Sequence, residues 1–228
     1  MTIHPLGDTA LIIDLADESS DADQLLALSL FAADAIERAR LPGVVDVTSA
    51  YRSIALFFAP GQVEQNIKEK IRALILPKRA RSRGKARRTE IPVCYDNEFA
   101  LDLARVAGHT SLTGDGIIAL HASTEYTVAC IGFVPGFPFL AGLSEKLRVP
   151  RLESPRTKVP AGSVAIANAQ TGIYPLESPG GWNVIGRTPQ RLFRVNENPP
   201  TLLRAGDHVR FRRITRDEFD ACVKENSK

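Results

Sequence analysis

The sequence lacks the features on which several common protein classes depend. Its three cysteines, Cys94, Cys130 and Cys222, are odd in number, far apart and never spaced as CxxC. That argues against a disulfide framework and against a zinc site. The four histidines, His4, His109, His121 and His208, each stand without the i, i+4 partner of a helical metal site, so no metal is expected. No apolar run approaches the roughly 18–20 residues that cross a bilayer. The opening stretch MTIHPLGDTALIIDLADESS has no basic segment leading into a continuous apolar one, so a cytoplasmic protein without membrane contact is expected. Also missing are a GxSxG nucleophile elbow, a GxxxxGKS or GxxxxGKT phosphate loop, and a GxGxxG turn after a strand.

What is present is the composition of an ordinary folded protein. The 228 residues are 44% hydrophobic and 24% charged, close to globular averages and enough to bury a core in one large or two small domains. The net charge of +3 conceals a division. Segment 78–88, KRARSRGKARR, holds seven basic residues and no acids, and removing its seven charges from +3 leaves −4 for the remainder. It has no aromatic residues to stack on bases and lies between two folded stretches, so it reads as a solvated linker and not as a nucleic-acid site.

The organisation before this linker is mixed. Residues 9–15 read as a strand, and from Asp23 an apolar stripe through Leu26, Leu30 and Ile36 predicts a helix capped by Asp21 or Asp23 and stopped at Pro42-Gly43. Strands at 44–51 and 53–59 meet at a Tyr51-Arg52 turn, and a second helix carries Val63, Ile67, Ile71 and Leu74. If strand 90–95 joined this sheet, the order would complete a ferredoxin-like split βαβ arrangement; it could equally open the next domain. After residue 96, Thr113 can cap a helix that ends near His121, and Gly108 is expected at a helix C-terminus. From residue 125 short β segments, RLFRV (191–195) among them, separated by Gly and Pro, predict an all-β barrel or sandwich. The expected class is α+β, with an α/β domain over residues 1–88 and a β domain over 89–228.

Chemistry concentrates in residues 131–189. The loop IGFVPGFPFLAGL sets Phe133, Phe137 and Phe139 among two prolines and a glycine. Such a loop either lines a pocket or interface, or folds onto its own core. The following stretch, 150–189, offers Arg156 and Arg187, whose planar guanidinium groups suit carboxylates and phosphates. It interleaves them with Gln170, Thr171, Tyr174, Ser178 and Trp182. Amide and hydroxyl groups of this kind orient a small amide, and the many glycines allow close backbone approach. A small anionic ligand fits this composition, although plain β-turns with surface arginines fit it as well. Cys130 reads as a small core residue and His121 as a structural histidine with internal partners.

The run IGFVPGFPFLAGL, followed by PRTKVPAGSVAIANAQTGIYPLESPGGWNVIGRTP, resembles the family of 5-oxoprolinase B subunits. The family is also known as allophanate hydrolase subunit 1, and it includes an inhibitor of a sporulation histidine kinase. The resemblance extends over essentially the whole chain, from GDTALII to GDHVRFRRI. It implies a cyclophilin-like β-barrel behind the N-terminal α/β domain. It also implies ATP-driven opening of 5-oxoproline to glutamate, shared with A and C subunits. ATP would act through the complex, since this chain shows no nucleotide motif. On this reading Arg156 and Arg187 clamp anionic groups, Gln170 and Thr171 orient the amide, Tyr174 and Trp182 wall the ring, and Phe137 and Ser178 complete the pocket. The alternative implied by the family is a non-catalytic protein that binds a histidine kinase.

Overall fold

The computed structural model describes residues 1–75 and 86–225, in two compact units, Met1–Lys85 and Ala86–Lys228. Residues 78–85 of the basic segment lie outside the described residues. Its last residues belong to the second unit: Arg87 pairs with Asp207 at 2.8 Å, and Arg88 is the first residue of a strand.

The first unit contains β1 (Thr2–Pro5), β2 (Ala10–Asp14), α1 (Ala22–Ala39), β3 (Val44–Ala50), β4 (Ser53–Phe58) and α2 (Ile67–Ile75). Its antiparallel sheet runs β1-β2-β4-β3. The Asp21 carboxylate caps α1 by accepting from the N–H groups of Asp23 and Gln24, which satisfies two donors the helix leaves unpaired. Ile13, Ile54 and Leu56 of the sheet pack with Ile36 of α1 and Ile71 of α2 in one core. The ferredoxin-like arrangement expected from the sequence is not completed as written. Strand 90–95 contributes nothing to this sheet, and the edge position beside β2 is taken by β1. Only Ile3 of β1 is buried, so the strand leaves little alternation to read.

The second unit is a closed barrel. Its strands are β5 (Arg88–Cys94), β6 (Glu125–Ile131), β7 (Pro138–Ala141), β9 (Ser163–Ala167), β10 (Gln170–Ile173), β12 (Asn183–Arg187) and β13 (His208–Ile214). They close in the order β10-β7-β6-β13-β5-β12-β9. β5 and β13 pair in parallel along their full length, from Arg88 opposite His208 to Cys94 opposite Ile214. Strands β8 (Arg156–Val159) and β11 (Ser178–Gly180) form a separate two-stranded ribbon. Helices α3 (Leu103–Thr110), α4 (Gly114–Ser123) and α5 (Arg216–Glu225) complete the unit.

Three local expectations meet different outcomes. Gly108 lies inside α3, and the left-handed cap is Ser111, with φ 57°. RLFRV forms no strand and contributes only an isolated bridge between Phe193 and Thr201; prolines at 189, 199 and 200 remove backbone donors that a ladder would need. Thr113 does cap α4, accepting from the Gly116 N–H.

Gly162 knits three strands. Its N–H donates to the Tyr174 carbonyl, and its own carbonyl accepts from Thr188 N–H. At φ +82° a Cβ here would lie 2.4 Å from the Thr188 oxygen. Gly162→Ala should therefore lower stability by roughly 1–3 kcal/mol or more, read as a shift in the urea midpoint at unchanged slope.

Candidate functional site

Three of the residues singled out from the sequence, Phe137, Tyr174 and Trp182, meet on the outer side of strand β9. Along β9, Val164 and Ile166 join the barrel core, whereas Ala165 and Ala167 face a second cluster with Phe137, Val159, Tyr174, Trp182 and Val184. This division follows from the two-residue period of a strand. Phe137 is the hub of the second cluster. Its ring makes edge contacts to Tyr174 at 5.1 Å and Trp182 at 5.6 Å, and tilts against Phe139 at 4.8 Å. Such offset and edge geometries suit the ring quadrupoles.

These rings fill one another's space. Phe137 is 2% exposed, Tyr174 2% and Trp182 5%. As placed here they are a packed layer and not the open walls of a cavity. Of the two readings open for the loop, packing onto its own core describes Phe137. Phe133 behaves differently: it is 64% exposed and sits at φ 68°, a conformation uncommon for a non-glycine residue. Gly180 is what admits Tyr174, since a Cβ there would come within 2.3 Å of the phenol oxygen. Burial pushes the Tyr174 pKa up, opposed by a backbone hydrogen bond from Trp182 and by the nearby Arg151 and Arg156.

A polar layer borders the rings. Arg156 donates through Nη1 to Asp102 Oδ2 at 2.9 Å and through Nη2 to Oδ1 at 2.6 Å, a bidentate fork of the strong kind. Asp102 also accepts the Val184 N–H at 2.7 Å. The carboxylate is nearly buried, at 6% exposure, against 29% for the arginine. Asn183 accepts from Arg105 Nε and donates to the carbonyls of Pro150 and Ile166. The Arg151 guanidinium lies 6.0 Å from the Trp182 ring. Arg187 sits apart, its Nε donating to the Ala161 carbonyl and its guanidinium 5.7 Å from Phe99. Arg216 lies over the same ring at 4.9 Å.

The remaining candidates separate. Ser178 pairs with Val159 across the ribbon, and its Oγ is buried without a partner. Gln170, half-buried, begins β10 opposite Ala167. Thr171 is fully buried, and its hydroxyl donates to Ala165 O at 3.0 Å while standing 3.0 Å from His121 Nε2. It is therefore removed from any outside ligand. The Tyr95 hydroxyl lies 2.9 Å from His121 Nδ1. With Thr171 committed as a donor to Ala165, a consistent chain has His121 Nε2–H donating to Thr171 and Tyr95 O–H donating to Nδ1. The imidazole stacks on Phe211 at 4.5 Å, and burial lowers its pKa to about 3.

Asp102, Asn183 and Tyr95 carry no signal in the sequence that would single them out. Asp102 lies in a stretch with a helical pattern, FALDLARVA, and nothing local marks it as the partner of an arginine 54 residues away.

A family model for the carboxyltransferase domain, subdomain C and D, matches residues 1–203. The B subunit of the Bacillus subtilis (strain 168) 5-oxoprolinase is 41% identical over 236 residues, covering 99% of this chain and 98% of that protein. The crystal structure of TTHA0988 superposes with a TM-score of 0.77 at 36% identity, over 90% of this chain and 40% of that chain. The Kluyveromyces lactis urea carboxylase shares the fold, with a TM-score of 0.74 at 17% identity, over 98% of this chain but 22% of that one. The chain thus spans well under half the length of these two solved proteins. It belongs to the carboxyltransferase subdomain C and D family and, within it, to the family of 5-oxoprolinase B subunits.

The buried polar groups generate two predictions. Asp102→Ala leaves Arg156 unpaired and the Val184 N–H orphaned, and should cost roughly 2–4 kcal/mol, the lower end reflecting partial solvation of the arginine. Asp102→Asn should cost less, and denaturant titration compares the two. For His121 the folded pKa lies below the unfolded value near 6.5. Above pH 6.5 both states are neutral and the group adds no pH dependence. As pH falls from 6.5 toward 3, only the unfolded state takes up the proton, so stability drops by up to ~1.4 kcal/mol per pH unit. His121→Gln should be less stable at pH 7.5, yet show a shallower fall in melting temperature between pH 6.5 and 4.

Proposed function

We propose that this chain is the B subunit of an ATP-dependent 5-oxoprolinase, which opens 5-oxoproline to L-glutamate only when assembled with A and C subunits. The observation that carries this reading is 41% identity to a 5-oxoprolinase B subunit over nearly the full length of both chains. No observation favours the histidine-kinase inhibitor. The barrel is read as cyclophilin-like. Among the described residues no helix is long and apolar enough to cross a membrane.

Hydrolysis of the lactam adds water across its C–N bond, and the ring amide needs activation first. ATP would supply that activation by transferring its terminal phosphoryl group to the carbonyl oxygen with release of ADP, after which attack of water would open the C–N bond and release phosphate. The sequence has no glycine-rich phosphate loop, so ATP is read as acting through the complex, with no nucleotide site identified in this chain.

The candidate roles are revised accordingly. Arg187 and Gln170, both half-buried, keep the proposed direct contacts: a cation to offset developing negative charge, and an amide to orient the ring. Ser178 Oγ is buried without a partner and is withdrawn from direct contact, as Thr171 is. Arg156 acts through its pairing with Asp102, by fixing the ribbon. Phe137, Thr171, Tyr174 and Trp182 support the surface from beneath. A surface with its aromatic residues already packed needs a partner protein to enclose a ligand, in keeping with inactivity alone.

The test is ATP-dependent glutamate release from 5-oxoproline by this chain with A and C subunits, and again without it. Activity should require this chain, and Arg187→Ala should reduce it by roughly 100-fold, with only the small drop in melting temperature expected from losing the Ala161 hydrogen bond and the Phe99 contact. Full turnover in the absence of this chain would refute the proposal.

A further inference from the structure

Phe133 is held in solvent by a loop that is fixed from within. Its φ of 68° combines with a bond of 2.8 Å from the Val134 N–H to the Gly132 carbonyl, the geometry of a γ-turn of the rare, strained hand. A second turn follows. The Phe137 N–H returns to the Val134 carbonyl at 3.1 Å, with Pro135 and a left-handed Gly136, φ 81°, at its corners, as a type II turn requires. The Gly132 N–H then donates to the Phe137 carbonyl at 3.1 Å and shuts the loop. The Phe133 ring meets Phe137 edge-on at 5.6 Å and remains 64% exposed.

Folding of the isolated chain does not account for this placement. An aromatic ring left in water gains little from burial, and a bulky residue at positive φ costs stability. Asn or Gly would hold the same turn without either penalty. Strain kept at an exposed aromatic residue implies a contact that the isolated chain does not make.

A second apolar group flanks the first. A Cβ on Gly136 would lie 2.9 Å from Phe193 Cβ and 3.4 Å from the Leu192 carbonyl, so the loop abuts the segment after β12. That segment folds back on itself through the Phe193–Thr201 bridge and a bond of 2.7 Å from the Arg194 N–H to the Pro200 carbonyl. At its turn Val195 is 76% exposed. Among the described residues, Phe133 and Val195 are the two most exposed large apolar side chains of the second unit, and they stand on neighbouring loops.

We propose that Phe133 and Val195 are the apolar anchors by which this chain docks on a partner subunit, with Phe133 entering a pocket on that subunit. A ring already fixed in place enters such a pocket with little further loss of freedom. The inference rests on the reading above, that the chain works within a complex. Two observations favour a partner subunit as the occupant. Phe133 touches Phe137, the hub of the layer that needs an opposing wall, so this face is continuous with the candidate site. In TTHA0988 the same fold accounts for only 40% of the chain, so there the module is joined to more polypeptide than its own length.

The test measures binding of the full chain to the A and C subunits, each alone and then together, by titration calorimetry. Phe133→Asn should weaken assembly at least about 30-fold. The same variant should hold or raise the melting temperature of the isolated chain, because Asn accepts positive φ and the exposed ring gives up little burial. A purely structural Phe133 would show the opposite pair, a lowered melting temperature with unchanged affinity. Val195→Ser should weaken assembly by roughly fivefold.

Unchanged affinity in Phe133→Asn, or no binding of the unmodified chain to either subunit, overturns the proposal. A dimer of this chain alone that Phe133→Asn dissociates in sedimentation assigns the face to a second copy and overturns it as well. Normal assembly and turnover of 5-oxoproline with Phe133→Asn removes this surface and leaves the proposed function standing. A complex that depends on Phe133 but turns over no 5-oxoproline does the reverse.

Discussion

Strand β9 is buried on both faces, every residue from Ser163 to Ala167, and the architecture around it answers that constraint. One face supplies branched side chains to the barrel interior. The other presents alanines, which leave room for large rings to approach the sheet closely. A strand exposed on its outer side would need polar residues there; this one needs a cover, and Phe137, Tyr174 and Trp182 provide it. Their indole and phenol groups bring polar atoms to the edge of an apolar layer. The ribbon of β8 and β11 lies over that layer, pinned by the Arg156–Asp102 fork. Removing the fork would loosen the cover before it affected the barrel.

Positive charge is handled in the same spirit. Arg156 commits its fork to Asp102, Arg187 and Arg216 stack on Phe99, and Arg151 leans on Trp182. Arginine is suited to this because its weakly hydrated plane can lie on a ring and still hydrogen-bond at its edge. The surface is edged by guanidinium groups held against rings or a carboxylate. That character fits a member of an assembly, in which a second protein supplies the opposing wall.

Much of the architecture is legible in the sequence. The helix α1, the turn at Tyr51-Arg52 and the Thr113 cap each depend on local periodicity or local hydrogen bonding and are written in adjacent residues; α2 is legible from Ile67 onward, whereas Val63, expected within it, lies before its start. The destination of strand 90–95 is not legible, because pairing with His208–Ile214 is set by closure of the barrel and leaves no local mark. β1 escapes notice since one buried residue in four makes no pattern. At the candidate site, the choice of Phe137, Tyr174 and Trp182 identifies residues that do pack together, while residue type alone could not tell a lining from a filling. Thr171 illustrates the limit. Its neighbour Gln170 is half-buried, yet the alternation of β10 turns Thr171 inward to His121, so one step along the strand separates surface from core.

The closing pair of the barrel also sets an order of events during synthesis. Arg87 and Asp207, joined beside the β5–β13 seam, are 120 residues apart in the chain. On a ribosome, β5 emerges long before its partner exists, and the unpaired edge must wait through the synthesis of nearly the whole barrel. The first sheet has no such delay, since all its strands are made by Phe58. The two units therefore differ in vulnerability: one can be complete while the other still shows an open edge to neighbouring chains, and truncation before His208 would leave that edge open permanently.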